Sequence, residues 1–180
     1  MVYVALLRGI NVGGKSRVEM SRLKQVFAGL GCTDISTYIN SGNVIFRDVM
    51  PAAQLAARIQ HKIAQEFGFE VPVILRDLPA MQQLNEFIPA SWTNDDQQRT
   101  NVLFLWDHIN EASILTKIKT KPEIEDVRYT PGAIIWNTAR KDITRGSASK
   151  LVQNELYPFI TIRNLTTVQK LYALMRALSA

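Results

Sequence analysis

The stretch Asn40-Ser41-Gly42-Asn43 joins two strand-like segments, Ile35 to Ile39 and Val44 to Phe46, and its residues are those of a hairpin turn. Strands linked this closely run antiparallel, because a parallel pair needs a crossover of a dozen or more residues. Upstream, Val2 to Leu7 is a continuous apolar run, the pattern of a strand covered on both faces. Met20, Leu23, Val26, Phe27 and Leu30 then recur at helical spacing, and Gly31 ends that helix. Downstream, Pro51 suits a first helical turn, Leu55, Ile59, Ile63 and Phe67 form an apolar stripe, and Gly68 closes it. Val71 to Leu75 is a fourth strand. The order β-α-β-β-α-β is the split arrangement of a ferredoxin-like unit.

The order recurs in the second half. Val102 to Trp106 is an apolar strand, and Ile109 to Ile118 reads as a helix capped by Asn110. Val127 to Tyr129 and Ala133 to Trp136 flank the turn pair Pro131-Gly132. Ser149 to Leu156 reads as a short helix stopped near Pro158, and Ile160 to Ile162 as a last strand. A final helix is expected from Thr166 or Thr167, carrying Val168, Leu171, Leu174, Met175 and Leu178. The expected fold class is therefore α+β, with two ferredoxin-like halves fused, mostly antiparallel sheet and an extra C-terminal helix. The expected division is 1–78, a connector at 79–99 with a short helix around Met81, Leu84 and Phe87, and 100–180.

Cys32 is the single cysteine, which excludes an internal disulfide and a thiol-rich metal site. The opening apolar stretch is too short for a signal peptide and lacks a basic region before it. No apolar run reaches membrane-spanning length, so a cytoplasmic protein without membrane contact is expected. The net charge of +5 is spread over both halves and is compatible with phosphate-bearing partners.

The segment from Gly9 to Ser16 fits the spacing G-x-x-x-x-G-K-[ST] of phosphate-cradling nucleotidase loops. Val102 to Trp106 followed by Asp107 even looks like the strand and aspartate that accompany such loops. The wider context argues against that reading. The helical periodicity begins near Met20, not at the Lys-Ser pair, and the hairpin implies an antiparallel sheet. A weaker version remains: glycine-rich turns can aim several backbone N–H groups at an anion. Arg8 and Lys15 add charge beside Asn11, Gly13 and Gly14. The plainer account is a tight turn with Asn11 capping it internally and Lys15 solvated.

In a ferredoxin-like unit the first and third strands are neighbours, so Tyr38, Ser41 and Asn43 of the hairpin should share a rim with the glycine loop. Arg163 and Lys170 near the final helix could extend the same anion site; a capped helix and a structural arginine are the plainer account. Arg140, Lys141, Arg145 and Lys150 flank a loop, Gly146-Ser147-Ala148-Ser149. His61 and His108 are isolated, no G-x-S-x-G elbow occurs, and Cys32 reads as a small buried residue. Trp92, Trp106 and Trp136 are not interleaved with the basic clusters, so no stacking platform for bases is evident. No catalytic residue, metal or cofactor is assigned.

Three stretches resemble the bacterial domain-of-unknown-function family numbered 1697. They are Leu6-Leu7-Arg8-Gly9-Ile10-Asn11-Val12-Gly13-Gly14-Lys15, with Met20 and Leu23; Thr37-Tyr38-Ile39-Asn40-Ser41-Gly42-Asn43-Val44-Ile45-Phe46; and Thr161-Ile162-Arg163-Asn164, with Thr167, Lys170 and Leu171. Asn40 stands where glutamine is common in that family, and Leu165 where an aromatic is common. The resemblance implies two fused ferredoxin-like halves and no particular activity. The expected function is binding of a phosphate-bearing ligand, a nucleotide or nucleic acid, at the glycine loop. The alternatives are an enzyme acting on a small anionic metabolite or nucleotide there, through Lys15, Tyr38 or Ser41, and a structural module pairing through sheet edges.

Overall fold

β1 (Val2–Leu7) has no residue more than 6% exposed, because β3 (Asn43–Arg47) and β4 (Val73–Asp77) pair antiparallel along both its edges. The computed structural model describes residues 1–13 and 16–179 and divides into two units, Met1–Met81 with Leu171–Ala180, and Gln82–Lys170. In the first unit β2 (Thr33–Thr37) completes a sheet of order β2-β3-β1-β4. Alternation sends Tyr3, Ala5 and Leu7 to one face, where α1 (Met20–Gly29) and α2 (Ala52–Phe67) cover them. Phe27 of α1 meets Phe46 of β3 edge-on at 4.9 Å, and Leu55, Ile59 and Ile63 of α2 are fully buried. Gly68 ends α2 at φ +78, where only a residue without Cβ sits unstrained.

Two strands lie two residues from their expected places. β2 spans Thr33–Thr37, with Asp34 at φ 52 and a register shift between Thr33 and Ser36, because pairing with β3 overrides the apolar run at an exposed edge. β4 starts at Val73, since Pro72 has no N–H for the ladder; its carbonyl instead accepts from the Arg8 amide at 2.9 Å.

The second unit repeats the permutation. Its sheet has the order β6-β7-β5-β8, built from β5 (Gln98–Leu105), β6 (Glu125–Thr130), β7 (Ala133–Ala139) and β8 (Ile160–Asn164). Along the chain α3 (Leu78–Phe87) precedes it and α4 (Leu165–Ser179) follows it. Leu171 and Met175 of α4 are fully buried, and Arg47 donates to the carbonyl of Leu178 within the first unit.

The two helices expected inside the second half do not form. Ile109 to Ile118 is two 3-10 segments, Asp107–Ile109 and Ala112–Lys117. Asn110 lies between them, and its side-chain Oδ1 accepts from the Gly132 amide at 2.7 Å and the Tyr129 hydroxyl at 3.0 Å. It clamps the Pro131-Gly132 turn and caps no helix. Likewise 3-10 turns at Ala148–Gln153 and Tyr157–Phe159 replace the helix expected at Ser149 to Leu156. α4 begins at Leu165, earlier than Thr166 or Thr167, because the Asn164 side chain accepts from the Thr167 amide at 2.8 Å and serves as its cap.

A buried carboxylate holds the irregular part of this unit to the sheet. Glu125 accepts from the Ser147 amide at 2.6 Å, from the Ser147 hydroxyl, and from the Lys121 amide at 2.8 Å. Gly146 permits this approach, since a Cβ there would lie 2.6 Å from the carboxylate. Burial alone would raise the Glu125 carboxyl, but these donors outweigh it and hold it below the ordinary glutamate value.

Gly42 sits at φ +76, and a Cβ there would lie 2.7 Å from Leu7 Cβ and 2.8 Å from Ile10 Cδ1. Gly9, at φ +74, has open space around the same position. Gly42→Ala is expected to lose about 2–4 kcal/mol in urea unfolding, and Gly9→Ala only about 1–2 kcal/mol. A depressed carboxyl stabilises the fold above its ordinary pKa, and that contribution disappears as pH falls through the folded value. Glu125→Gln should therefore lower stability at neutral pH by about 2 kcal/mol and flatten the loss seen in acid, measured by thermal melts across pH.

Candidate functional site

Pairing of Leu6 with Asn43, and the Leu7 amide donating to the Gly42 carbonyl at 2.8 Å, bring the end of β1 against the hairpin turn. Asn11, just past the end of β1, and the hairpin thus share one rim of the first unit. Asn11, at φ 55, ties the strand end to the hairpin. Its side-chain amide donates to the carbonyls of Val18 at 2.9 Å and Asn40 at 2.8 Å, and its oxygen accepts from the Val18 amide at 2.9 Å. Its own amide donates to the Ser16 carbonyl at 3.1 Å.

Several groups expected to face a ligand are thus spent on the loop itself. The amides of Leu7, Arg8 and Asn11 are bonded within the chain. Asn43 is fully buried, its amide donating to the Tyr38 carbonyl and the Ser41 hydroxyl, both at 3.0 Å. Tyr38 and Ser41 are half-buried on the hairpin, Arg8 is half-buried at the end of β1, and Gly13 is exposed at φ +60. Gly14 and Lys15 lie outside the described residues. α1 begins at Met20 and the sheet is antiparallel, so the nucleotidase-type spacing lacks the strand–loop–helix context that gives it meaning.

Arg163 and Lys170 belong to the second unit, while the rim is part of the first. Arg163 is buried on β8, donating to the Thr161 hydroxyl at 3.0 Å and the Ile162 carbonyl at 2.8 Å; burial pushes its guanidinium down to about 10. Lys170 is exposed on α4.

Sequence reasoning missed the part of the rim best suited to an anion. A groove of about 660 Å³ is lined by Asn11, Arg17, Ser21, Arg22, Asn40 and Phe67. The first turn of α1 opens on it. Glu19 occupies the cap position, no side chain caps the helix, and its first turn holds no acidic residue. The first amides of α1 therefore lack side-chain acceptors, and the positive end of the helix dipole faces the groove. The Glu19 carboxylate accepts from the Ser21 hydroxyl beside it. Arg17 is exposed and makes no ion pair among the described residues. Arg22 is held by Glu66 at 2.6 Å, its guanidinium 5.2 Å from the Phe67 ring centre. The available signal was a basic residue ahead of a helix with no Ser, Thr, Asp or Asn at its cap.

Other chemistry is sparse. Among the described residues no three His, Cys, Asp or Glu side chains group as metal ligands. Cys32 is buried and donates to Asp48 at 3.3 Å; burial first, then that carboxylate, push its thiol up to about 12. Such a thiol is no nucleophile near neutral pH. Among the described residues no helix is long and apolar enough to cross a membrane.

A family model described as "Protein of unknown function (DUF1697)" matches residues 1–136. Among solved structures, that of the conserved bacterial protein SP0830 from Streptococcus pneumoniae is similar to this chain. The TM-score is 0.85 and the identity 30%, over 97% of this chain and 98% of that one. No curated protein gives a match.

Asn11→Ala removes three hydrogen bonds that close the rim. It is expected to cost about 2 kcal/mol and to accelerate exchange of the Val18 amide by more than tenfold, leaving the β1 amides protected, as read by hydrogen exchange.

Proposed function

The chain belongs to the DUF1697 family, and within it we propose that this protein binds a phosphate-bearing ligand, a nucleotide or nucleic acid, where the glycine loop meets the start of α1. The observation that carries this reading is the uncapped first turn of α1 opening on a groove beside Arg17. Helix N-terminal amides and a guanidinium fork are the two protein groups that match phosphate oxygens best. Asn11 and Asn43 hold the rim in shape, so the groove is formed before a ligand arrives. Arg17 supplies an exposed charge, and Lys15 of the glycine loop is a second cation only two residues away in sequence. The site works in the cytoplasm, where a single reduced cysteine is at ease.

Pyrophosphate, ATP, mixed-sequence RNA and single-stranded DNA titrated at low salt test the reading. At least one should bind, with affinity falling steeply as salt rises. Arg17→Ala should weaken that binding about tenfold or more without unfolding the protein, since Arg17 is exposed, and Lys15→Ala should weaken it as well. Absence of binding by all four at low salt, or indifference to Arg17→Ala, refutes the proposal.

A further inference from the structure

The 3-10 segments of the second unit leave part of its sheet uncovered. In the first unit α1 and α2 lie over the corresponding face. Here the cover is short turns and loop, and beneath it lies a cavity of about 320 Å³. Register explains its floor. Arg99 pairs with Thr138, and Asn101 with Trp136. Residues paired across strands share a face, so these four side chains stand side by side, with Ile162 of β8 completing the floor. Leu151 forms part of the roof, and the loop that carries the roof is pinned to the sheet by Glu125 through Ser147.

The wall is largely apolar, with Arg99 and Asn101 as its uncommitted polar side chains. Arg99 is exposed and makes no ion pair among the described residues. Glu125 also lines the cavity but is engaged by three internal donors. The Asn101 side chain has no hydrogen bond among the described residues. The indole N–H of Trp136 is buried on the side of the Glu125 carboxylate. An apolar pocket of this size with one free guanidinium and a neighbouring amide fits an organic anion with a hydrophobic body. A phosphate group alone would find too few donors and too much hydrocarbon.

From this geometry we infer that the second unit binds a small carboxylic acid, its ring or short aliphatic chain over Trp136, Ile162 and Leu151 and its carboxylate against Arg99 and Asn101. This site is separate in sequence and in structure from the rim of the first unit, and neither reading depends on the other.

Calorimetric titration of the full chain with benzoate, 2-naphthoate and decanoate tests it, with 2-naphthalenemethanol and decanol as uncharged controls. At least one acid should bind saturably, and its alcohol should bind at least about tenfold more weakly. Arg99→Gln should weaken the acid by a similar factor, Arg99→Lys should restore part of the loss, and Ile162→Trp, which fills the floor, should abolish binding. Arg17→Ala should leave it unchanged. No saturable binding of any acid up to about 10 mM, equal binding of acid and alcohol, or indifference to Arg99→Gln overturns the inference.

Discussion

β1 is paired on both edges and buried on both faces, so its backbone has no freedom until Leu7. The chain must then turn away at once, within reach of β3. The Gly42 carbonyl takes the Leu7 amide, and Gly42 itself lies so close to Leu7 and Ile10 that no side chain fits. The left-handed backbone of Gly9 and Asn11 and the close approach of Gly42 accompany that confinement. Asn11 and Asn43 then satisfy backbone groups that the sharp exit would otherwise leave unpaired. The described part of the rim continues the end of a buried strand, and α1 begins beside its groove.

The first half was legible because its signals are local and strong. An uninterrupted apolar run, a helix stripe ending in Gly68, and a hairpin turn each point to one structure. The second half was legible as topology and misleading as secondary structure. Ile109 to Ile118 has helical spacing, but only Ile114 and Ile118 of that stretch are buried, and Asn110 is drawn to the Pro131-Gly132 turn by two hydrogen bonds. A tertiary contact of that kind leaves no trace in periodicity.

The candidate site shows a different limit. Asn11 and Asn43 stand out in the sequence as polar residues of the loop and hairpin, yet a sequence does not say whether an asparagine faces solvent or its own backbone. Both face the backbone. Arg17 was passed over because its importance comes from a missing feature, the side-chain cap that α1 lacks. Arg163, whose plainer reading in sequence is a structural arginine, is buried on its own strand in the fold.

The two units also differ in what closes them. The first is completed by the far end of the chain: Leu171 and Met175 are fully buried, and Arg47 reaches the Leu178 carbonyl across 131 residues. A nascent chain leaving the ribosome has synthesised every strand and both helices of the opening sheet long before the last segment that packs with them emerges. Until α4 is made, the opening portion lacks a segment that packs with it. Folding of the first unit in strict chain order therefore gives way here to a closing step that waits for α4.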